Sequence, residues 1–221
     1  MSPRDLRRAS DLRFITVAAT LTDAEWAAPS LCAGWTNHEV LSHLVLGCSA
    51  PPAAVSAAMI RHRGDFDAAN AQLARDLAAR RPPTALLSDF AERSCAPRGI
   101  GRLFPPGLLT GDHIIHELDI LLAVGREPRI PAGTLHGVLR TEVTVPNPFV
   151  PARKTAAGLR LRTTDTGWNW AGRPGTRLVV QGAAADLASV LAGRPAALPR
   201  LTGSGVPELA ARIRPGRAGF R

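Results

Sequence analysis

The sequence predicts a mainly α-helical bundle followed by a small α+β unit. Three observations predict it: helical periodicity through the first two thirds, a proline-rich break, and period-two alternation beyond the break. Residues 4–20 set Leu6, Leu12, Ile15 and Val17 among charges, the pattern of an amphipathic helix. "TDAE" at 22–25 and "TNHE" at 36–39 both have the form of a capping box, in which side chains at each end satisfy two orphaned N–H groups. The second one starts a helix through Val40, Leu41, Leu44, Val45 and Cys48, which Pro51 and Pro52 interrupt. Helical patterns follow at 53–80, with a break at Gly64, and at 84–94. "PPG" at 105–107 then punctuates the chain, and a strongly apolar helix is expected over 108–124, closed near Gly125.

Residues after Ile130 and Pro131 read as a transitional segment, and "VPNPFVP" at 145–151 reads as a linker because its prolines remove ladder and helix donors. Domains are therefore expected at 1–145 and 146–221. In the second, "GLRLRTT" alternates Leu159 and Leu161 with arginines, "GWNWAG" alternates Trp168 and Trp170, and "TRLVVQG" sets Leu178 and Val180 on one face. "AADLASVLAGR" is a helix closed by Gly193, and a last helix is expected near 206–213.

Composition narrows the class. With 45% hydrophobic and 20% charged residues the chain is an ordinary globular protein, and no segment approaches the ~20 apolar residues of a membrane span. The first residues lack the basic start and apolar middle of a signal peptide, so a cytoplasmic protein is expected, as monomer or homodimer. Cys32, Cys48 and Cys95 are too few and too dispersed for a disulfide scaffold or a four-cysteine zinc site, and are read as buried free thiols. A formal charge of +9 raises nucleic acid as a partner. Of the 27 basic residues only Lys154 is lysine, however, the arginines are dispersed apart from the tail "RIRPGRAGFR", and there is no tyrosine to stack on bases. No nucleic-acid partner is expected.

The chemistry concentrates in "GDHIIHELDI", residues 111–120. On a helix Asp112 and His116 stack one turn apart and Asp119 continues their stripe, while Ile114, Leu118, Leu121 and Leu122 fall on an apolar side. A buried carboxylate and imidazole need a partner, and a divalent metal supplies one. Further ligands must then come from another helix, and His43, flanked by apolar residues in "LSHLVL", is the candidate. His113 is the rival ligand, Glu117 reads as a solvated flank and His38 as an exposed first-turn residue; His62 and His136 lack comparable settings. Spacing alone leaves other readings open: a satisfied core histidine at 43, a simple i,i+4 pair at 112 and 116, or Asp112 favouring its helix N-terminus.

These residues also carry a resemblance. "PSLCAGWTNHEVLSHL" at 29–44 resembles the N-terminal signature of the mycothiol-dependent maleylpyruvate isomerase family, and "DHIIHELDI" resembles its second signature. "GWNWAG", "VVQGAAADLASVLAGR" and "LTGSG" are similar to its C-terminal α+β domain. The resemblance implies a DinB-like four-helix bundle followed by the small C-terminal α+β domain, with His43, Asp112 and His116 as metal ligands. Asp112 stands where the isomerase has glutamate, a shorter arm. Cys32 matches a recurrent family cysteine, read as packing.

Two imidazoles and a carboxylate leave Zn²⁺ with net positive charge and an open position, although the set also admits nickel, cobalt or iron. A thiol cosubstrate there would be deprotonated and held against an electrophile. The resemblance names mycothiol as that thiol, adding to a conjugated double bond for cis–trans isomerisation or S-transfer. Asp119 is read as a group orienting His116, and Arg194 as a contact for a carboxylate of the thiol or the substrate. A hydrolase using metal-bound water on the same bundle, and a non-catalytic metal- or ligand-binding protein, are the competing readings.

Overall fold

A computed structural model of the chain describes residues 3–102, 105–147, 150–173 and 175–213. Most of the basic tail and residues 148 and 149 of the expected linker lie outside that set, as does the side chain of Leu6. The described residues divide into two compact units, 3–127 and 128–213. None of the described helices is long and apolar enough to cross a membrane.

The first unit is all helix: α1 (Pro3–Ala18), α2 (Asp23–Ala27), α3 (Asn37–Ser49), α4 (Pro52–Arg61), α5 (Phe66–Ala78), α6 (Pro83–Cys95) and α7 (Pro106–Ala123). Helices α1 and α3 each pack against both α6 and α7, closing a four-helix ring, and α5 lies against α3. Both expected capping boxes form. Thr22 and Glu25 cap α2, and Thr36 and Glu39 cap α3, whose first turn is thereby set. The break expected at Gly64 is real: Arg63 and Gly64 both have positive φ (53° and 86°), and Asp65 caps α5 by accepting from Ala68 N–H at 3.0 Å. At its other end α7 closes on Gly125 (φ 68°), with Arg126 N–H donating to Leu121 O at 2.8 Å, a hydrogen bond that satisfies a last-turn carbonyl.

Two expectations about burial are corrected. Helix α1 does not bury Leu12, which is 46% exposed; its inward face is Arg7, Ser10, Asp11, Phe14 and Ala18. Of its polar members, Asp11 meets His113 of α7, Arg7 donates to Ser94 O of α6, and Ser10 accepts from Arg13. Of the three thiols, Cys32 and Cys48 are buried but Cys95, in the last turn of α6, is exposed.

The second unit contains α8 (Ala132–Thr144), α9 (Ala152–Thr155), β1 (Arg160–Thr163), β2 (Asn169–Ala171), β3 (Val179–Gly182), α10 (Ala184–Leu191) and α11 (Val206–Arg212). Strand β1 is central, antiparallel to β2 and parallel to β3, with Leu161 opposite Trp170 and Val180. Helix α10 packs on β3 and on α8. Leu178 is 39% exposed just before β3, so only Val180 of the expected pair enters the core. The segment read as transitional is the helix α8. Its glycines and β-branched residues are weak helix formers, but Leu135, Val138, Leu139 and Val143 lie on one buried face, and tertiary packing decides. Because α8 packs on α9 and α10, it groups with the second unit, and the division falls at 127/128 rather than at the expected 145.

Candidate metal centre

Helix α7 is buried along most of its length: every residue from His113 to Leu121 is inside. A helix so placed must pair each polar group it carries, and it does so on two sides.

On one side, α3 and α7 bring His43, Asp112 and His116 together, their ligand atoms all within 4.8 Å of one another. Asp112 Oδ1 lies 3.6 Å from Nε2 of His43 and 3.6 Å from Nε2 of His116. The two rings meet edge to face, with centroids 4.7 Å apart. Each ring is held from behind. His43 Nδ1–H donates to Asn70 Oδ1 on α5 at 3.1 Å, and His116 Nδ1–H donates to Asp119 Oδ2 at 2.9 Å. With both Nδ1 atoms engaged as donors, it is the two Nε2 atoms that face Asp112. His43 Nε2 is buried and has no hydrogen-bond partner.

That arrangement fits a metal. Two ligand atoms each ~2.0–2.1 Å from a tetrahedral ion lie about 3.4 Å apart. Contacts of 3.6 Å between a carboxylate oxygen and two imidazole nitrogens are too long for hydrogen bonds and close to that spacing. The electrostatics agree. Burial pushes the His116 imidazole below its ordinary pKa, with His43 acting in the same direction, so His116 is held neutral as a ligand must be. Burial opposes ionisation of Asp112, but its interaction with His43 and the nearby imidazoles outweighs this and holds the carboxyl well below its usual range. The donor set is therefore two imidazole nitrogens and one anionic oxygen.

On its other side α7 meets α1. His113 Nδ1 lies 2.8 Å from Asp11 Oδ1, and its Nε2 is 3.6 Å from Cys48 Sγ. Phe90 covers the ring edge-on at 5.1 Å between centroids. Burial by itself would lower the His113 pKa, yet the charge and hydrogen bond of Asp11 raise it to about 10. Glu117 receives a two-pronged hydrogen bond from Arg13, at 2.5 and 2.6 Å. Burial raises its pKa and Arg13 opposes that rise. His113 is thus turned away from His116, and Glu117 is buried rather than a solvated flank.

The remaining candidates are placed as follows. His38 is half-buried, its Nε2 2.9 Å from Arg81 O. Asp119 is fully buried, its Oδ2 2.9 Å from His116 Nδ1. Arg194 lies in the second unit, 3% exposed, donating to Ala192 O at 2.6 Å and acting electrostatically on Glu142 of α8. Two contributors went unread. Asn70 is half-buried on α5, one turn before the buried Ala74, and an amide at such a position was the available signal. Trp35, packed edge-on against His43 at 5.4 Å, carried none beyond its motif.

Comparison with known proteins bears on the same elements. A family model, the mycothiol maleylpyruvate isomerase N-terminal domain, matches residues 7–96, from α1 through α6, and so includes His43 but not α7. No curated protein matches the chain. Two crystal structures of the mycothiol-dependent maleylpyruvate isomerase, one of them a histidine-to-alanine variant, match with TM-scores of 0.50. They are 19% and 18% identical, and each match covers 91% of this chain and 91% of the other. At such identity the likeness is one of fold. The chain therefore has the fold of that isomerase, and its residues 7–96 match the N-terminal domain model of the mycothiol maleylpyruvate isomerase family.

Proposed function

We propose that the protein is a metal-dependent enzyme that activates a low-molecular-weight thiol, mycothiol, for addition to a small electrophile, by cis–trans isomerisation or by S-transfer. The observation that carries this reading is the convergence of His43 Nε2, His116 Nε2 and Asp112 Oδ1, with both histidines backed at Nδ1. The family domain and the shared fold support the choice of thiol. When bound, a divalent cation such as Zn²⁺ would supply the positive charge that keeps a thiol deprotonated at neutral pH.

The protein's own residues do the rest. Asn70 and Asp119 fix the ring orientations, and Asp119 increases the basicity of His116. Trp35 walls off His43, and the buried flanks of α3 and α7 exclude water. Asp112, with 35% of its side chain exposed, is the open edge from which an exogenous sulfur reaches the cluster. In isomerisation the thiolate sulfur bonds to the alkene carbon while the π pair moves onto a conjugated carbonyl. Rotation about the new single bond and reversal of the addition return the thiol unchanged. In transfer the adjacent carbon takes a proton and the sulfur–carbon bond remains.

The test is metal analysis of the purified protein, followed by thermal shift with Zn²⁺ and mycothiol added separately and together. One equivalent of metal, lost in His43→Ala, and an upward shift with each ligand are expected, because a ligand of the native state stabilises it. Absence of stoichiometric metal in the wild type, or its retention in His43→Ala, would overturn the site. Turnover of an electrophile without thiol would point instead to the hydrolase.

A further inference from the structure

The segment "PSLCAGWT" between α2 and α3 is a closed turn whose two ends are fastened by an isolated bridge between Pro29 and Thr36. Inside it, Ser30 N–H donates to Trp35 O at 2.9 Å, Trp35 N–H to Cys32 O at 3.1 Å, and Cys32 N–H to Ser30 Oγ at 3.1 Å. Gly34 takes φ 80°, a left-handed conformation that a side chain would strain, and this reverses the chain between Cys32 and Trp35. The turn is also fastened to α7, since Leu31 N–H donates to the main-chain oxygen of Asp119 at 3.1 Å.

The turn delivers one side chain to each ligand histidine. Trp35 packs on the ring of His43. Cys32 is grouped with His116 and Asp119, their ligand-type atoms all within 4.8 Å of one another, and all three residues are at most 2% exposed. Asp119 already engages His116 Nδ1 at 2.9 Å, so the thiol flanks the hydrogen bond that orients the ligand ring.

Building on the metal-centre reading above, we infer that Cys32 is a positioning residue: its thiol confines the Asp119 carboxylate against His116 Nδ1, and so sets the direction of His116 Nε2 without touching the metal. A buried carboxylate costs free energy unless its partners are fixed. The compact, weakly polar thiol fills the space beside Asp119 without offering a donor strong enough to draw the carboxylate off His116. Removing the side chain leaves a void in which the carboxylate can turn or take up water, and the imidazole loses its fixed direction. Loss of such an outer partner typically weakens metal binding about 10–100-fold.

The experiment uses the full chain, stripped of metal and titrated with Co²⁺ against a competing chelator, comparing wild type, Cys32→Ala, Cys32→Ser, Asp119→Asn and the Cys32→Ala/Asp119→Asn double variant. Expected are a roughly tenfold loss of Co²⁺ affinity in Cys32→Ala with altered ligand-field bands, and no recovery in Cys32→Ser, whose hydroxyl is a donor strong enough to compete with His116 for the carboxylate. The double variant should bind no more weakly than Asp119→Asn, because the cysteine acts through the carboxylate. A merely structural cysteine would instead lower the thermal midpoint of the metal-free protein and add to Asp119→Asn. Additive losses, or a Cys32→Ala variant with wild-type affinity and spectrum, overturn the inference. So does a near-ultraviolet thiolate-to-cobalt band that disappears in Cys32→Ser, since it would make Cys32 a ligand. Wild-type protein that fails to bind Co²⁺ at all overturns the metal-centre reading itself, whereas equal binding by wild type and Cys32→Ala removes only the role of the cysteine.

Discussion

Asp11→Asn is the substitution whose effect follows most directly from the packing of α1 on α7. The change keeps the shape of the side chain and removes its charge, leaving His113 buried beside a neutral amide. In the native protein both partners are buried, at 3% and 4% exposure, and 2.8 Å apart. A His113 pKa raised from 6.5 to about 10 corresponds to roughly 5 kcal/mol of preference for the charged ring, an upper bound. Breaking a buried pair by removing one partner costs about 3–5 kcal/mol, the same order. The sign with pH follows from the raised value. Below about 6.5 His113 is protonated in folded and unfolded chains alike and the stabilisation is complete; it is lost as pH climbs toward 10. Urea unfolding at pH 6, 8 and 10, followed by circular dichroism, should show Asp11→Asn destabilised by about 3–5 kcal/mol at pH 6 and the gap closing by pH 10. A gap under about 1 kcal/mol at pH 6, or one that does not change with pH, would refute the charged pair.

Other consequences are equally direct. Asp119→Asn should keep the fold but lower metal affinity about 10–100-fold, and Asn70→Ala should do the same to a smaller degree, both read by chelator competition. Burial holds the Glu142 carboxyl well above its usual range, with Arg194 only partly opposing it. The folded chain then keeps a proton that the unfolded chain releases, so stability falls as pH rises above about 4.5. Glu142→Gln should flatten that fall and raise the unfolding midpoint at pH 7 more than at pH 4, measured by denaturant titration. Finally, a thiol reagent should label Cys95 in the native protein, with Cys32 and Cys48 reacting only on unfolding; mass spectrometry of tryptic peptides distinguishes the three.

Local signals carried much of the architecture. Both capping boxes, the break at Gly64 and the closure of α7 at Gly125 could be read directly, because each depends on residues within a few positions of one another. Helix α8 could not, since its apolar stripe competed with glycines and β-branched residues and was decided by packing on α10. In the centre, Asp112 and His116 were legible as an i,i+4 pair and His43 as a polar residue in an apolar run. Glu117 was misread because periodicity assumes a helix with a solvent face, and α7 has scarcely any.

What the sequence determined by itself was the helical pattern, the two capping boxes and the stripe that aligns Asp112, His116 and Asp119. What only the tertiary structure decided was which partner each polar group of α7 meets: His43 for Asp112 and His116, Asp11 for His113, Arg13 for Glu117. Spacing along one helix sets the direction of a side chain. The partner is set by which helix lies across from it, and burial makes that choice binding, because a charged group removed from water must be paired.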